Sequence, residues 1–232
     1  ILYSSYKTDD KYSLKTPVKA QQIVPAAGDT RITRTKDNAL AIDFCYVTVE
    51  GKTHKNIHFS TAADIAYKAH GFANGNPWNT SVQYKRNILD RDNFTDGGFT
   101  ATYRFTVNDS FDYSDMQLVA ERPELFSVKV NGEPVKAIPG KWWLDKSFGV
   151  YSIGNQVKRG INTVELNIRP MSIFAEIEPV YILGDFSVIP GQKGWSINAP
   201  VNEFTFGSLK SQKQPFYSWY FMYGQSYHIT NL

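Results

Sequence analysis

The sequence predicts a mainly β protein built as an antiparallel sandwich or jelly roll. Three observations predict this class. Aromatic residues make up 15% of the 232 residues, and rings suit the pleated, half-buried surface of a sheet. Short alternating apolar runs separated by turn residues recur from residue 97 onward. An Asn131-Gly132 pair lies between two of these runs, and this dipeptide is a strong signal for a tight hairpin.

The N-terminal part of the chain predicts a smaller β segment. Residues 1–38 are polar and irregular, so we expect a linker or an edge segment that packs on a missing domain. The run Ala39 to Glu50 carries apolar side chains on both faces, which predicts a strand covered on both sides. A turn at Gly51 then leads into a second strand over residues 54–59.

One short helix is expected over residues 61–71. Ser60 or Thr61 would cap its N-terminus, and Asp64 would lie in the first turn near the positive end of the helix dipole. Gly71 would end it, because glycine readily adopts the left-handed conformation that closes a helix.

The C-terminal part predicts a succession of short strands. Residues 99–107 alternate strictly between apolar and polar side chains, as a half-buried antiparallel strand does. We therefore divide the chain into an N-terminal segment of residues 1–96 and a β-sandwich of residues 97–232. The other strands of this part are expected at residues 116–121, 125–130, 133–138, 148–153, 161–168, 173–188, 194–195, 203–208, 216–224 and 226–229, and a short strand is expected upstream at 82–89.

Composition excludes several classes of partner. The net charge is +3 and the basic residues are scattered, so no nucleic-acid interface is expected. The chain contains no apolar stretch of the roughly 20 residues that a membrane span requires. Cys45 is the sole cysteine and lies in an apolar run, which indicates a core side chain and excludes an intrachain disulfide. No cofactor motif occurs, so no cofactor is expected.

Three runs resemble the galactose-binding-like jelly roll found near the C-terminus of large bacterial glycoside hydrolases. The nearest types are the alpha-L-rhamnosidase-like hydrolases and the sugar-binding domain of the beta-galactosidase clan. The resemblance covers roughly residues 38–220 and is firmest over 97–190. It is carried by FSVKVNGEPV, WWLDKSFGVYSIGNQVKRGINTVEL and AEIEPVYILGDF, and upstream by NALAIDFCYVTVEG and GNPWNTSVQ.

The resemblance implies a non-catalytic accessory region, carbohydrate-binding or scaffolding, of a multidomain glycoside hydrolase acting on plant or host polysaccharide. It further implies a catalytic domain upstream in the same polypeptide and a periplasmic or extracellular location in a bacterium. It transfers no catalytic residue to this chain. The alternative from another class is a stand-alone carbohydrate-binding or cell-surface adhesion module.

The best candidate for sugar contact is the segment that contains Lys141, Trp142, Trp143 and Asp145. We expect it in a loop between two strands, where jelly rolls present ligand sites. A tryptophan ring can stack on a pyranose while Lys141 or Asp145 bonds the hydroxyls. The alternative is that one or both rings close the end of the sandwich or a domain interface.

A pair of carboxylates raises the possibility of catalysis. Glu176 and Glu178 are two residues apart on an expected strand, so they share a face about 6.5 Å apart. Glycoside hydrolysis uses two carboxyl groups roughly 5 to 10 Å apart. The surrounding run reads as a structural strand next to Pro179, so we expect a carboxylate that bonds a neighbouring loop and predict no catalytic residue.

No metal site is expected. The oxygen-rich segment of Asn108, Asp109, Asp112 and Asp115 offers ligands that calcium accepts, but its spacing matches no EF-hand and Asx residues are ordinary turn formers. The histidines are dispersed and lack the spacing of a zinc site. They are His54, His58, His70 and His228.

Overall fold

The computed structural model describes residues 26–79, 96–191 and 194–228. Residues 1–25 of the expected linker and the strand expected at 82–89 lie outside the described residues. The described strands, in chain order, are β1 (Ala26–Arg34), β2 (Asn38–Ile42), β3 (Phe44–Val49), β4 (Lys52–His58), β5 (Phe99–Val107), β6 (Gln117–Glu121), β7 (Ser127–Val130), β8 (Glu133–Val135), β9 (Ala137–Trp143), β10 (Asp145–Ser152), β11 (Gly160–Ile168), β12 (Val180–Gly184), β13 (Ser187–Pro190), β14 (Trp195–Asn198) and β15 (Phe221–Tyr227).

Apart from β1 and β15, which pair with each other, these strands form a sandwich of two large sheets, which confirms the predicted mainly β, antiparallel class. One sheet has five strands in the order β2-β12-β6-β10-β9. The other has the order β13-β14-β5-β11-β7-β8, with β3 paired to β5 and β4 paired to β3. One pair departs from the expected antiparallel pattern: β14 runs parallel to β5, with Ser196 opposite Thr106 and Ile197 opposite Val107.

A single core lies between the two sheets. Alternate residues of β5 point inward and are buried, as the sequence pattern predicts. Side chains from the five-stranded sheet, such as Leu118 and Ile182, join the same cluster, and so do residues of the helix such as Tyr67. The buried residues of β5 in this cluster are Phe99, Ala101, Tyr103, Phe105 and Val107.

The strand expected from Ala39 to Glu50 is two strands that belong to different sheets. Pairing breaks at Asp43: before it, Leu40 lies opposite Ile182 in the five-stranded sheet. After it, Cys45 lies opposite Tyr103 in the eight-stranded sheet. The run is therefore apolar at both odd and even positions because its two halves pair with different strands, β12 and β5. The two parts into which the sequence divides the chain, residues 1–96 and 97–232, consequently contribute strands to the same sheets.

The helix α1 runs from Phe59 to Ala69, two residues earlier than expected, and its predicted cap is wrong. His58 occupies the N-cap position and makes no side-chain capping bond. The Ser60 hydroxyl is hydrogen-bonded to His58 Nδ1 at 2.8 Å instead. Asp64 lies beyond the first turn, where its Oδ1 accepts a bond from the backbone N–H of Asn76 at 2.8 Å. Gly71 follows the helix with a φ of 87°, as expected.

The hairpin between β7 and β8 turns at Asn131 and Gly132, as predicted, with φ values of 52° and 87°. The Asn131 side chain donates to the backbone carbonyl of Gln156 at 2.7 Å and to Asn162 Oδ1 at 2.8 Å. Its own Oδ1 accepts from the backbone N–H of Thr163 at 2.9 Å. The turn is therefore bonded to the start of β11.

Residues 26–34, within the segment expected as a linker or an edge, form strand β1, for which β15 supplies a pairing partner from the far end of the chain. Other stretches that were expected as strands are not strands. Residues 173–179 contain no strand, and pairing begins only at Val180, after Pro179, which has no N–H to donate to a ladder. Residues 203–208 also form no strand.

The chain divides into two compact units. One consists of residues 1–31 and 223–232, and its described part contains most of the β1–β15 ribbon. In this ribbon the Thr30 hydroxyl is bonded to Gln225 Oε1 at 2.6 Å. The other unit, residues 32–222, holds both large sheets and the helix. Among the described residues, no helix combines the length and the apolar character that a bilayer crossing demands.

Candidate functional site

The outer face of the five-stranded sheet is apolar. An exposed sheet face normally carries polar side chains, so this face stands apart. Ala39, Val119, Val150 and Leu183 come from four neighbouring strands and are all buried in a cluster separate from the main core. Leu183 lies opposite Ala39, and Val150 lies opposite Val119, so the residues form a continuous floor across the sheet.

The end of β9 forms one wall above this floor. Trp143 is half-buried and packs against Tyr181, with ring centroids 5.0 Å apart. Trp142 is 51% exposed. The two rings differ in burial although both line the same cleft. Leu144 then turns the chain into β10 with a φ of 63°, so these rings lie at a tight strand junction and not in the loop expected from the sequence.

Residues 216–219 form the opposite wall. Phe216 packs against the floor cluster and against Trp195, at a centroid distance of 5.3 Å. Tyr217 and Ser218 follow, and Trp219 exposes 45% of its surface. The two walls therefore present one exposed tryptophan each.

Arg34 holds this second wall in place. Its guanidinium donates to Gln214 Oε1 at 2.8 Å, forms an ion pair with Asp185 and lies 5.8 Å from the ring centre of Tyr217. The Tyr217 hydroxyl donates to the backbone carbonyl of Tyr220 at 2.7 Å. Because Gln214 is fully buried, the arginine anchors the wall to the interior of the unit.

The cleft between the walls has a volume of about 710 Å³, within the range of small-molecule sites. Its polar lining consists of Lys36, Asp37, Gln117, Lys141 and Ser218. Burial raises the pKa of the Asp37 carboxyl, which the positive charge of Arg34 opposes. Chemically, the cleft offers rings for an apolar ligand face and charged groups that bond hydroxyls.

Three of the four residues predicted to contact sugar line this cleft: Lys141, Trp142 and Trp143. Asp145 does not. Its Oδ1 accepts bonds at 2.8 Å from both the backbone N–H and the hydroxyl of Ser147, and these bonds hold the pKa of the carboxyl below its usual range. The carboxylate therefore stabilises the turn into β10.

Sequence reasoning missed the contributions of Lys36, Asp37 and the 216–219 wall. Residues 216–224 were interpreted as a strand because of their aromatic content, whereas only Phe221 onward pairs. The one available signal was the two-sided apolar pattern of the run from Ala39, which indicates that both faces of its sheet are covered.

The carboxylates Glu176 and Glu178 lie in the unpaired segment before β12. Glu176 Oε2 accepts a bond from Asn76 Nδ2 at 2.7 Å, so this carboxylate joins the loop after α1 to the segment before β12, as expected of a carboxylate that bonds a neighbouring loop. Burial, together with the negative charges of Glu176 and Glu121, raises the pKa of Glu178 to about 7. Burial likewise raises the pKa of Glu121.

Two carboxylates of the oxygen-rich segment accept hydrogen bonds, one from a distant part of the chain and one within a local turn. Asp109 Oδ2 accepts bonds from Asn198 Nδ2 at 2.9 Å and from the backbone N–H of Ala199 at 3.0 Å. Asp112 Oδ1 accepts from the backbone N–H of Ser114 at 2.9 Å. Over residues 26–79, 96–191 and 194–228, no group of three or more His, Cys, Asp or Glu side chains is placed to hold a metal ion.

No protein-family model matches the chain, and no curated protein matches it. Among solved structures, the chain is similar to a β-D-glucuronidase of Dictyoglomus thermophilum, with 14% sequence identity and a TM-score of 0.39. The match covers 71% of this chain and 33% of that enzyme, so the chain spans about a third of the enzyme's length. Neither fold nor activity follows from a similarity of this extent. The resemblance to the galactose-binding-like jelly roll stays a prediction.

Proposed function

We propose that this chain is a non-catalytic, carbohydrate-binding accessory region of a multidomain glycoside hydrolase, and that it binds an oligo- or polysaccharide in the cleft above the five-stranded sheet. The observation that carries the proposal is the pair of half-exposed tryptophans, Trp142 and Trp219, on opposite walls of one apolar-floored cleft. Half-exposed rings over buried apolar residues are suited to the C–H face of a pyranose.

The polar lining supports a polyhydroxyl ligand. Within the described part of the chain, the side chains of Lys36, Lys141 and Asp37 make no ion pair, so their hydrogen-bonding capacity is available. Two ammonium groups and one carboxylate can bond sugar hydroxyls, which both donate and accept. The polysaccharide, a catalytic domain upstream and a periplasmic or extracellular location in a bacterium are parts of the same proposal.

The proposal is tested by calorimetric titration and affinity electrophoresis with plant and host oligosaccharides and polysaccharides. We expect saturable binding by the parent, and a loss of about ten- to a hundredfold in affinity for Trp142→Ala or Trp219→Ala, since a large apolar contact contributes on the order of 1–3 kcal/mol. Phe174→Ala is the matched control, because this ring is exposed outside the cleft. If the parent binds no glycan, or if Phe174→Ala weakens binding as much as Trp142→Ala, the proposal is wrong.

A separate assay tests the non-catalytic part of the proposal. We expect no hydrolysis of aryl-glycosides by this chain. Turnover that disappears in Glu178→Gln would establish an enzyme acting through Glu176 and Glu178 instead.

A further inference from the structure

A second cleft lies at a break in the eight-stranded sheet. On one edge of β5, the strand β3 pairs with Phe99 to Tyr103, and β14 pairs with Thr106 and Val107. Arg104 and Phe105 lie between these two partners and pair with neither. The gap lies where the chain leaves the five-stranded sheet at Asp43 and enters the eight-stranded sheet as β3. A cleft of about 440 Å³ opens there.

The cleft has an apolar floor and aromatic walls. Phe105, Leu40 and Ile42 belong to the main core and form the floor. Phe44 forms part of one wall and is 52% exposed, with its ring 5.5 Å from the His58 ring in an edge-on contact. Trp195, half-buried, lines the cleft as well. A half-exposed phenylalanine beside a buried apolar floor is an open platform for an apolar ligand face.

Two opposite charges line the same cleft without pairing. The Arg104 guanidinium lies 5.4 Å from the ring centre of Tyr46 and donates to its hydroxyl at 3.2 Å. Among the described residues, neither Arg104 nor Asp43 forms an ion pair, and the Asp43 carboxylate accepts no hydrogen bond. The cleft thus presents a guanidinium with further donors beyond the one that bonds Tyr46, and a carboxylate with free acceptor capacity.

We propose that this cleft is a second binding site, for one or two rings of a neutral sugar held through vicinal hydroxyls. One hydroxyl donates to Asp43, its neighbour accepts from Arg104, and the C–H face of the ring packs on Phe44. A neutral ligand fits because the two charges of the cleft compensate each other. The volume lies in the lower part of the range for small-molecule sites, which favours a short ligand. The choice of a sugar among diols rests on the proposed function.

The test is a titration followed by amide resonances in two-dimensional nitrogen–proton spectra of the full chain. The probes are glucose, galactose, mannose, their disaccharides, and glucuronic and galacturonic acids. We expect saturable shifts at Thr102 and Arg104 with at least one neutral sugar. Asp43→Asn and Arg104→Gln should each weaken that binding tenfold or more, because a charged hydrogen-bond partner is lost. Both side chains are exposed, so both variants should fold.

Controls separate this proposal from the first one. Lys129→Gln removes an exposed charge from the same sheet outside the cleft and should leave the shifts unchanged. Trp142→Ala should weaken binding in the first cleft. The dissociation constant obtained from the Thr102 and Arg104 shifts should stay within twofold of the parent value. The second site is disproved if no neutral sugar shifts these amides, if only the acidic sugars do so, or if Asp43→Asn and Arg104→Gln bind like the parent. Each result is independent of whether the tryptophan cleft binds glycan.

Discussion

At the scale of single residues, Trp142 and Trp143 show how neighbours in sequence acquire different roles. Trp143 faces the floor of the cleft and packs on Tyr181, whereas Trp142 exposes half of its surface. We expect Trp143→Ala to lower the free energy of unfolding by about 2–4 kcal/mol, somewhat below the cost of deleting a fully buried ring. Trp142→Ala should cost about 1 kcal/mol or less. Urea unfolding of both variants measures the difference, and equal losses would contradict the assignment.

Glu178 makes the stability of the protein depend on pH. Its pKa is raised from 4.5 to about 7 by burial and by the charges of Glu176 and Glu121. The native state therefore binds more protons than the unfolded state between those values, so the free energy of unfolding falls as pH rises from about 4.5 to 7. Glu178→Gln removes this ionisation and should raise the melting temperature at pH 8 relative to the parent, but not at pH 4.

The control for this prediction is Glu165→Gln, a glutamate on the eight-stranded sheet. Thermal melting between pH 4 and 8 should show the parent slope in Glu165→Gln and a flatter slope in Glu178→Gln. An unchanged slope in Glu178→Gln would show that its carboxyl ionises as it does in the unfolded chain.

The sequence indicates which side chains lie close together only where those residues are neighbours along the chain. Lys141, Trp142 and Trp143 reach one cleft because β9 carries all three. Asp37 and Trp219 join them through pairing of β2 with β12 and through the buried anchor of Arg34, which no local pattern reveals. Asp145 lies outside the lining of the cleft, and its carboxylate is bonded to Ser147.

At the scale of elements, the hairpin tip and the start of β11 form one hydrogen-bonded unit centred on Asn162. This side chain is fully buried. Its Oδ1 accepts from the backbone N–H of Lys158 at 2.9 Å and from Asn131, while its Nδ2 donates to the carbonyls of Lys158 at 2.7 Å and Gly160 at 3.1 Å. The amide thus satisfies groups that water cannot reach.

We expect Asn162→Ala to lower the free energy of unfolding by about 2–4 kcal/mol, because buried backbone groups lose their partners. Asn167→Ala is the matched control, since this asparagine lies on the same strand with its amide bonded to the Thr100 hydroxyl at the exposed face. It should cost about 1 kcal/mol or less. Similar losses in chemical unfolding of the two variants would argue against a special role of Asn162.

Strand positions could be predicted where alternation is strict, as in β5, and where Asn131-Gly132 turns the chain. The division of β2 from β3 could not, because both halves are apolar on both parities and only the partners Ile182 and Tyr103 distinguish them. The start of the helix also differs from the prediction, because the Ser60 side chain bonds His58 and does not cap the helix.

At the scale of the whole molecule, the sheets join segments that are distant in sequence. The strands β2 and β3 and the helix α1 supply core residues such as Leu40, Val47 and Tyr67 to the cluster that also holds β5 and β11. Residues 97–232 expressed alone should therefore show no cooperative thermal transition, whereas residues 32–228 should unfold cooperatively. Differential scanning calorimetry of both fragments decides this, and a sharp transition in the shorter one would establish an independent domain.

The ribbon of β1 and β15 has a mechanical consequence. The backbone N–H of Thr35 bonds the carbonyl of Tyr220, and Thr30 bonds Gln225, so the two strands run in opposite directions. The polypeptide therefore enters and leaves at the same end of the ribbon. Tension applied between the flanking segments pulls the ribbon bonds apart one after another instead of shearing them together.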